Sequence, residues 1–109
     1  MTQQTQVIRW QGATQPTEQV LRQQMQAQGL APHAWSNGPG DYYAIHSHSY
    51  EKVLYCVSGS IRFILHDTIG AESYVDLAPG DCMILPIGVR HSAQVGNKGV
   101  TCIEAARYP

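Results

Sequence analysis

The sequence predicts an all-β fold, a barrel or sandwich of short strands with one helix near its start. Three observations carry this. From residue 30 onward, apolar runs of strand length recur at 42–47, 52–58, 61–66, 73–78, 82–86, 90–95 and 100–106. Turn-forming clusters separate them: Ser58-Gly59, Asp67 to Gly70, Pro79-Gly80 and Gly96 to Gly99. Short strands at such close spacing suit a sandwich or barrel. Finally, Ile61, Phe63 and Leu65 alternate with Arg62, Ile64 and His66, a period of two that turns the first set toward a core.

In chain order, the first element is a short β-type run from Gln6 to Trp10. Residues 14–29 read as one amphipathic helix. Thr14, Pro16 and Thr17 offer a start, Glu18 suits the first turn, and Gly29 marks a stop. Val20, Leu21, Met25 and Ala27 form its modest apolar face, and such a helix packs on the outside of a domain. The stretch Trp35 to Asp41, WSNGPGD, is a dense turn signal. Strands then follow to the end. The organisation expected is one domain: residues 1–37 contribute a strand and helix packed on the barrel, and residues 38–109 form the barrel.

Composition removes several function classes. A chain of 109 residues with 43% hydrophobic residues can bury its own core without disulfides. Charged residues are only 14% and the formal net charge is −1, so there is no basic stripe for a nucleic-acid partner. No apolar run is long enough to cross a membrane, and the start MTQQTQVIRW lacks the pattern of a secretory signal. Cys56, Cys82 and Cys102 are odd in number, widely spaced and set in apolar runs, which suits buried reduced thiols. The expectation is a cytoplasmic protein. Exposed sheet edges need covering, and the strand Gln6 to Trp10 could lie along a second copy, so a homodimer is expected.

The chemistry rests with histidine. His46-Ser47-His48 would place two imidazoles on one face of a strand, since residues i and i+2 share a face. Neutral imidazole is the commonest side-chain ligand for divalent transition metals. Downstream, Gly80 opens a strand that closes at Pro86-Ile87-Gly88, and His91 begins the returning strand, from which it can point at the first pair. His33, in the turn-rich stretch, and His66, on the opposite parity to the core residues, are assigned no function. Tyr42 shares strand parity with His46 and His48 and is a candidate pocket residue. The chain has no nucleophile elbow, no phosphate loop and no thiol-protease pattern.

This arrangement resembles the cupin superfamily. The first cupin motif is matched by Gly40-DYYAI-His46-Ser-His48-SYEKVLYCVS-Gly59, and the second by Gly80-DCMIL-Pro86-Ile-Gly88-VR-His91-SAQ-Val95. The 20 residues from Ser60 to Pro79 separate them. The resemblance covers about residues 38–106. It implies a cupin β-barrel, or jelly roll, and ligation of a divalent transition metal (Fe, Zn, Ni or Mn) by His46, His48 and His91. The sequence departs from the pattern at two places. The glutamate that normally joins the ligands falls at Lys52, with six residues between it and Gly59, and Val95 stands where the family often has asparagine. Glu51 is one position out of register, and a shift of one residue turns a side chain to the other face; it is a pocket candidate only if residues 49–51 form a loop.

Two functions follow from the resemblance. One is a metal-dependent enzyme, dioxygenase-like, acting on a small molecule, with Lys52 as the candidate catalytic residue beside three imidazoles. There it could act as base or nucleophile, or pair with Glu51 or an anionic ligand. The other is a non-catalytic cupin that binds or senses a small molecule. The fold hosts both kinds, so the fold does not choose.

Overall fold

The computed structural model describes residues 4–66 and 69–108. The elements in chain order are β1 (Gln6–Ile8), α1 (Glu18–Ala27), β2 (His33–Asn37), β3 (Tyr42–His46), β4 (Glu51–His66), β5 (Glu72–Leu77), β6 (Cys82–Leu85) and β7 (Arg90–Arg107). All strand pairings are antiparallel. The strands run in the order β1-β6-β4-β7-β2, with β5 also on β4 and β3 also on β7. The all-β barrel with one N-terminal helix is the fold observed.

Two long strands organise it. The runs 52–58 and 61–66, read from sequence as separate, are one strand, β4; likewise 90–95 and 100–106 are one strand, β7. They pair from Glu51↔Arg107 to His66↔Arg90, with register shifts between Cys56 and Ser58 and between Gly59 and Ile61. Such bulges bend a strand without ending it. The first half of β4 is flanked by β6 and the second half of β7; its second half is flanked by β5 and the first half of β7. Each long strand therefore belongs to both layers. Gly59 sits at the bend with φ +75°, and a Cβ there would lie 2.0 Å from the carbonyl oxygen of Gly99. Only glycine allows that conformation and that approach.

The interior between the layers is built by alternate residues. Leu54, Cys56, Ile61 and Phe63 of β4 meet Ala93, Val95, Val100 and Cys102 of β7, with Leu77, Met83 and Leu85 completing the cluster. The opposite parity of the same strands, Val53 and Val57 with Ile103 and Ala105, faces outward and is covered by Leu21 and Met25 of α1 and by Leu30 just beyond it. Leu21 and Met25 are fully buried, and each such burial stabilises by about 1.5–3 kcal/mol.

The helix starts where Thr17 Oγ1 accepts from the Val20 N–H at 3.2 Å. It ends at Gly29, φ +78°, where the Leu30 N–H reaches back to the Met25 carbonyl at 3.0 Å. It is shorter than the 14–29 expected, and Val20 is 40% exposed rather than part of the apolar face.

Two further expectations are corrected. Residues 33–37 form strand β2 on β7, so the stretch read as a turn from Trp35 becomes one only after Asn37. The strand pays no heed to local turn preference because its backbone is paired along its length with 100–104. β1 spans only Gln6–Ile8 of the run expected from Gln6 to Trp10, and it pairs with β6 of its own chain, Gln6↔Ile84 to Ile8↔Cys82, at the end of the strand order. The three cysteines are free and buried. The turn expected at Asp67 to Gly70 has Asp67 and Thr68 outside the described residues. Among the described residues no helix is long and apolar enough to cross a membrane.

Candidate metal and ligand site

His46 is the last residue of β3 and faces His91, the second residue of β7, as its cross-strand partner. His48 follows just beyond the strand end. Its position is fixed by the Gly88 N–H, which donates to the His48 carbonyl at 2.9 Å. The Pro86-Ile87-Gly88 turn thus holds the first pair of histidines and launches the strand that carries the third. Potential ligand atoms of His46, His48 and His91 all lie within 4.8 Å of one another. The ring centroids are 4.3 Å apart for His46 and His91, 4.8 Å for His46 and His48, and 5.1 Å for His48 and His91.

Hydrogen bonding sets which nitrogen is available. The Nδ1 atoms of His46 and His91 lie 2.7 and 2.9 Å from the carbonyl oxygens of Ala44 and Val89. A carbonyl only accepts, so each Nδ1 carries the proton and each Nε2 is left with a lone pair. His91 is 1% exposed, and burial pushes its pKa down to about 4, against the bond to Val89, with His46, Lys52 and His48 adding to the depression. Burial also lowers His48, with Lys52 and His46 acting in the same direction. Among the described residues, the Nε2 atoms of His48 and His91 are buried without any hydrogen-bond partner. An unpartnered buried nitrogen is costly. Three converging imidazoles with two such atoms form a donor set that fits a divalent transition metal.

The cluster borders a cavity of about 180 Å³. Its apolar wall is Trp35, Tyr43, Phe63 and Ala93, and its charged groups are Lys52 and Glu104. Trp35 and Tyr43 meet edge to face at 5.8 Å. Trp35 Nε1–H donates to Glu104 Oε1 at 2.5 Å, and the Tyr43 hydroxyl donates to Asn37 Oδ1. At the rim, Tyr50 lies 4.9 Å from the His48 ring and 5.6 Å from Tyr108.

The predicted site residues fall as follows. Lys52 lines the cavity and is 7% exposed; its Nζ lies 3.5 Å from Glu104 Oε1. Glu51 turns the other way and pairs with Arg107 at 2.7 Å, because the strand begins at Glu51 and alternation holds from there. Tyr42 is 61% exposed and does not line the cavity; Tyr43 does. The physical reason is a register shift in β3: Tyr43 pairs with Ala93 but His46 pairs with His91, so three steps on one strand match two on the other. Counting parity through that bulge gives the wrong tyrosine. Of the histidines given no function, His33 is an exposed strand residue, and His66 contacts Ser92 Oγ at 3.2 Å and Glu72 at 3.5 Å.

Trp35, Tyr43 and Glu104 carry no site reading from sequence, and Phe63 reads there only as a core residue. Glu104 had a usable signal: an acidic residue within the apolar run VTCIEAA, on the parity of Cys102 and Val100, both of which are buried in the interior cluster.

A family model for the cupin domain matches residues 31–103. The chain belongs to the cupin family. Among solved structures, this cupin is similar to a variant of oxalate decarboxylase from Bacillus subtilis, with 26% identity and a TM-score of 0.65 over 72% of this chain and 21% of that one. Another structure of the same decarboxylase matches with the same figures, and its description concerns the enzyme's Mn(II) centres. The coconut allergen cocosin matches at 16% identity and a TM-score of 0.63, over 71% of this chain and 21% of that one, a likeness of fold alone. This cupin therefore spans about a fifth of the length of these neighbours. A search of curated protein sequences finds no match.

Proposed function

We propose that this cupin holds one divalent transition metal through His46, His48 and His91 and binds a small molecule in the adjoining cavity. The observation that carries the reading is the pair of buried, unpartnered Nε2 atoms on His48 and His91 within a three-histidine cluster. The Mn(II) centres named for the Bacillus subtilis decarboxylase are in keeping with it.

The chain's own residues have definable roles. The carbonyls of Ala44 and Val89 orient the imidazoles through Nδ1 and leave Nε2 as the nitrogen facing the cluster. Trp35, Tyr43 and Phe63 exclude water from one side of the cavity. Glu104 balances the charge of Lys52, and Trp35 holds Glu104 in place. A bound metal would supply Lewis acidity toward an oxygen of the small molecule. A dioxygenase-like enzyme would use Lys52 as a proton carrier beside that oxygen. A binding or sensing cupin would use it only as a fixed charge, and the existing contact with Glu104 favours this second role.

The test is the metal content of purified protein by mass spectrometry, for wild type, His48→Ala and His91→Ala. Wild type should carry close to one ion per chain and each variant far less. Equal content in all three would overturn the reading.

A further inference from the structure

Lys52 presents an unusual balance. Its side chain is 9% exposed, and the Glu104 side chain is 12% exposed. Their separation of 3.5 Å lies outside the usual range for an N–H···O hydrogen bond. Glu104 Oε1, the nearer oxygen, is already engaged by the Trp35 indole. Among the described residues, the ammonium group makes no hydrogen bond, although it carries three donors and lines the cavity. Glu104 is its counter-charge at ion-pair distance, and its three N–H donors remain open to a further acceptor in the cavity.

The charge balance points the same way. Lys52 and Glu104 form a pair with no net charge. Among the described residues the histidine cluster includes no carboxylate. The charge of any divalent ion held there would be left uncompensated by the chain. A ligand carrying negative charge would correct both deficits at once, giving the ammonium an acceptor and the cluster a counter-charge.

We infer that the cavity selects a small carboxylate, with its carboxylate group on Lys52 Nζ and a compact apolar or planar body against Trp35, Tyr43 and Phe63. The cavity of about 180 Å³ equals roughly six water volumes, which sets the scale to a ligand the size of acetate up to benzoate. Glu104 sharpens the choice, because its own charge turns away a second carboxylate on the far side of Lys52. This inference deepens the metal-site reading and rests on it for the counter-charge, while the Lys52 contact stands on the chain alone.

The experiment titrates metal-loaded and metal-free protein with acetate and benzoate, and with the neutral isosteres acetamide and benzamide, by calorimetry and by chemical shifts of the Trp35 indole. The proteins are wild type, Lys52→Met, Lys52→Arg and the double variant Lys52→Met/Glu104→Gln, which keeps the pair neutral if the single variant fails to fold. Metal content is measured on the same samples. Wild type should bind at least one carboxylate tenfold or more tighter than its amide. Lys52→Met and the double variant should lose that preference, and Lys52→Arg should recover part of it. Equal affinity for acid and amide in wild type, or an undiminished preference in both lysine-free proteins, would overturn the inference, as would no binding by any probe. Failure of the metal reading shows separately as absent metal, and the metal-free titration then decides the Lys52 contact by the same comparison.

Discussion

Acidification should weaken the metal-free protein through His91 in a pH window set by its environment. The folded protein keeps this ring neutral down to about 4, whereas an unfolded chain takes up the proton near the ordinary value of 6.5. The stability that the neutral ring represents is complete above pH 6.5. It declines as the unfolded state binds a proton the folded state refuses, and it levels off near pH 4, where the folded ring protonates too. The gap corresponds to ~3 kcal/mol, at 1.36 kcal/mol for each factor of ten. That is a large part of the 5–15 kcal/mol typical of a whole domain, on the order of a third. His48 acts in the same direction with a smaller weight, being less buried. Asp81 acts in another window. Burial works against its charge, but the N–H groups of Ala78 and Trp10 and the Arg9 guanidinium outweigh it, so its contribution is lost only below the ordinary carboxylate value of 3.8. The assay is urea unfolding of chelator-treated protein at several pH values from 7 to 4, for wild type and His91→Asn, whose amide can still donate to the Val89 carbonyl. The stability difference between the two should shrink or invert by about 2–3 kcal/mol across that range. Parallel pH profiles would refute the reasoning.

Three further outcomes are expected. Lys52→Glu should place a carboxylate where the cupin motif has one and tighten Ni²⁺ binding more than tenfold, about 1.4 kcal/mol, by calorimetry; the same change sets two carboxylates side by side with Glu104 and should lower the melting temperature of the metal-free protein. Gly59→Ala should destabilise by more than about 2 kcal/mol in urea, since the new Cβ meets the Gly99 carbonyl and the backbone is left-handed there. Leu54→Ala, at a fully buried position between the layers, should cost about 2–5 kcal/mol in the same assay, while Thr17→Ala, which removes the helix cap, should cost about 1 kcal/mol.

The parts of this molecule that could be read from sequence are those whose signal is local. His46, His48 and His91 stood at motif positions, and the turn at Pro86 to Gly88 that brings them together was visible as turn chemistry. Lys52 is placed in the cavity by the motif's spacing from Gly59, a spacing that already spans the register shift between Cys56 and Ser58. The failures share a cause. Tyr42 was chosen over Tyr43 because a bulge in β3 resets parity without changing composition. β2 was missed because its strand state comes from pairing with residues far along the chain, while its own sequence runs directly into Gly38-Pro39-Gly40. β4 and β7 were each divided in two because the glycines at their bends look like chain reversals. Glu104 becomes legible only when Trp35 and Lys52 are seen beside it.

The sharing of β4 and β7 between both layers bears on how the protein comes apart. Neither layer owns a complete set of strands, so one cannot melt and leave the other standing. β7 carries His91 near its start, and near its end Ile103 and Ala105 seat the helix. Detaching the helix and dispersing the histidines are therefore parts of one cooperative event. The pairing of Glu51 with Arg107 also closes just over half the chain into a loop, and such distant contacts must form before they reward the ordering they require. Folding should be slow for a domain of this size, and amide hydrogen exchange should show a single, uniformly slow class along the paired lengths of β4 and β7.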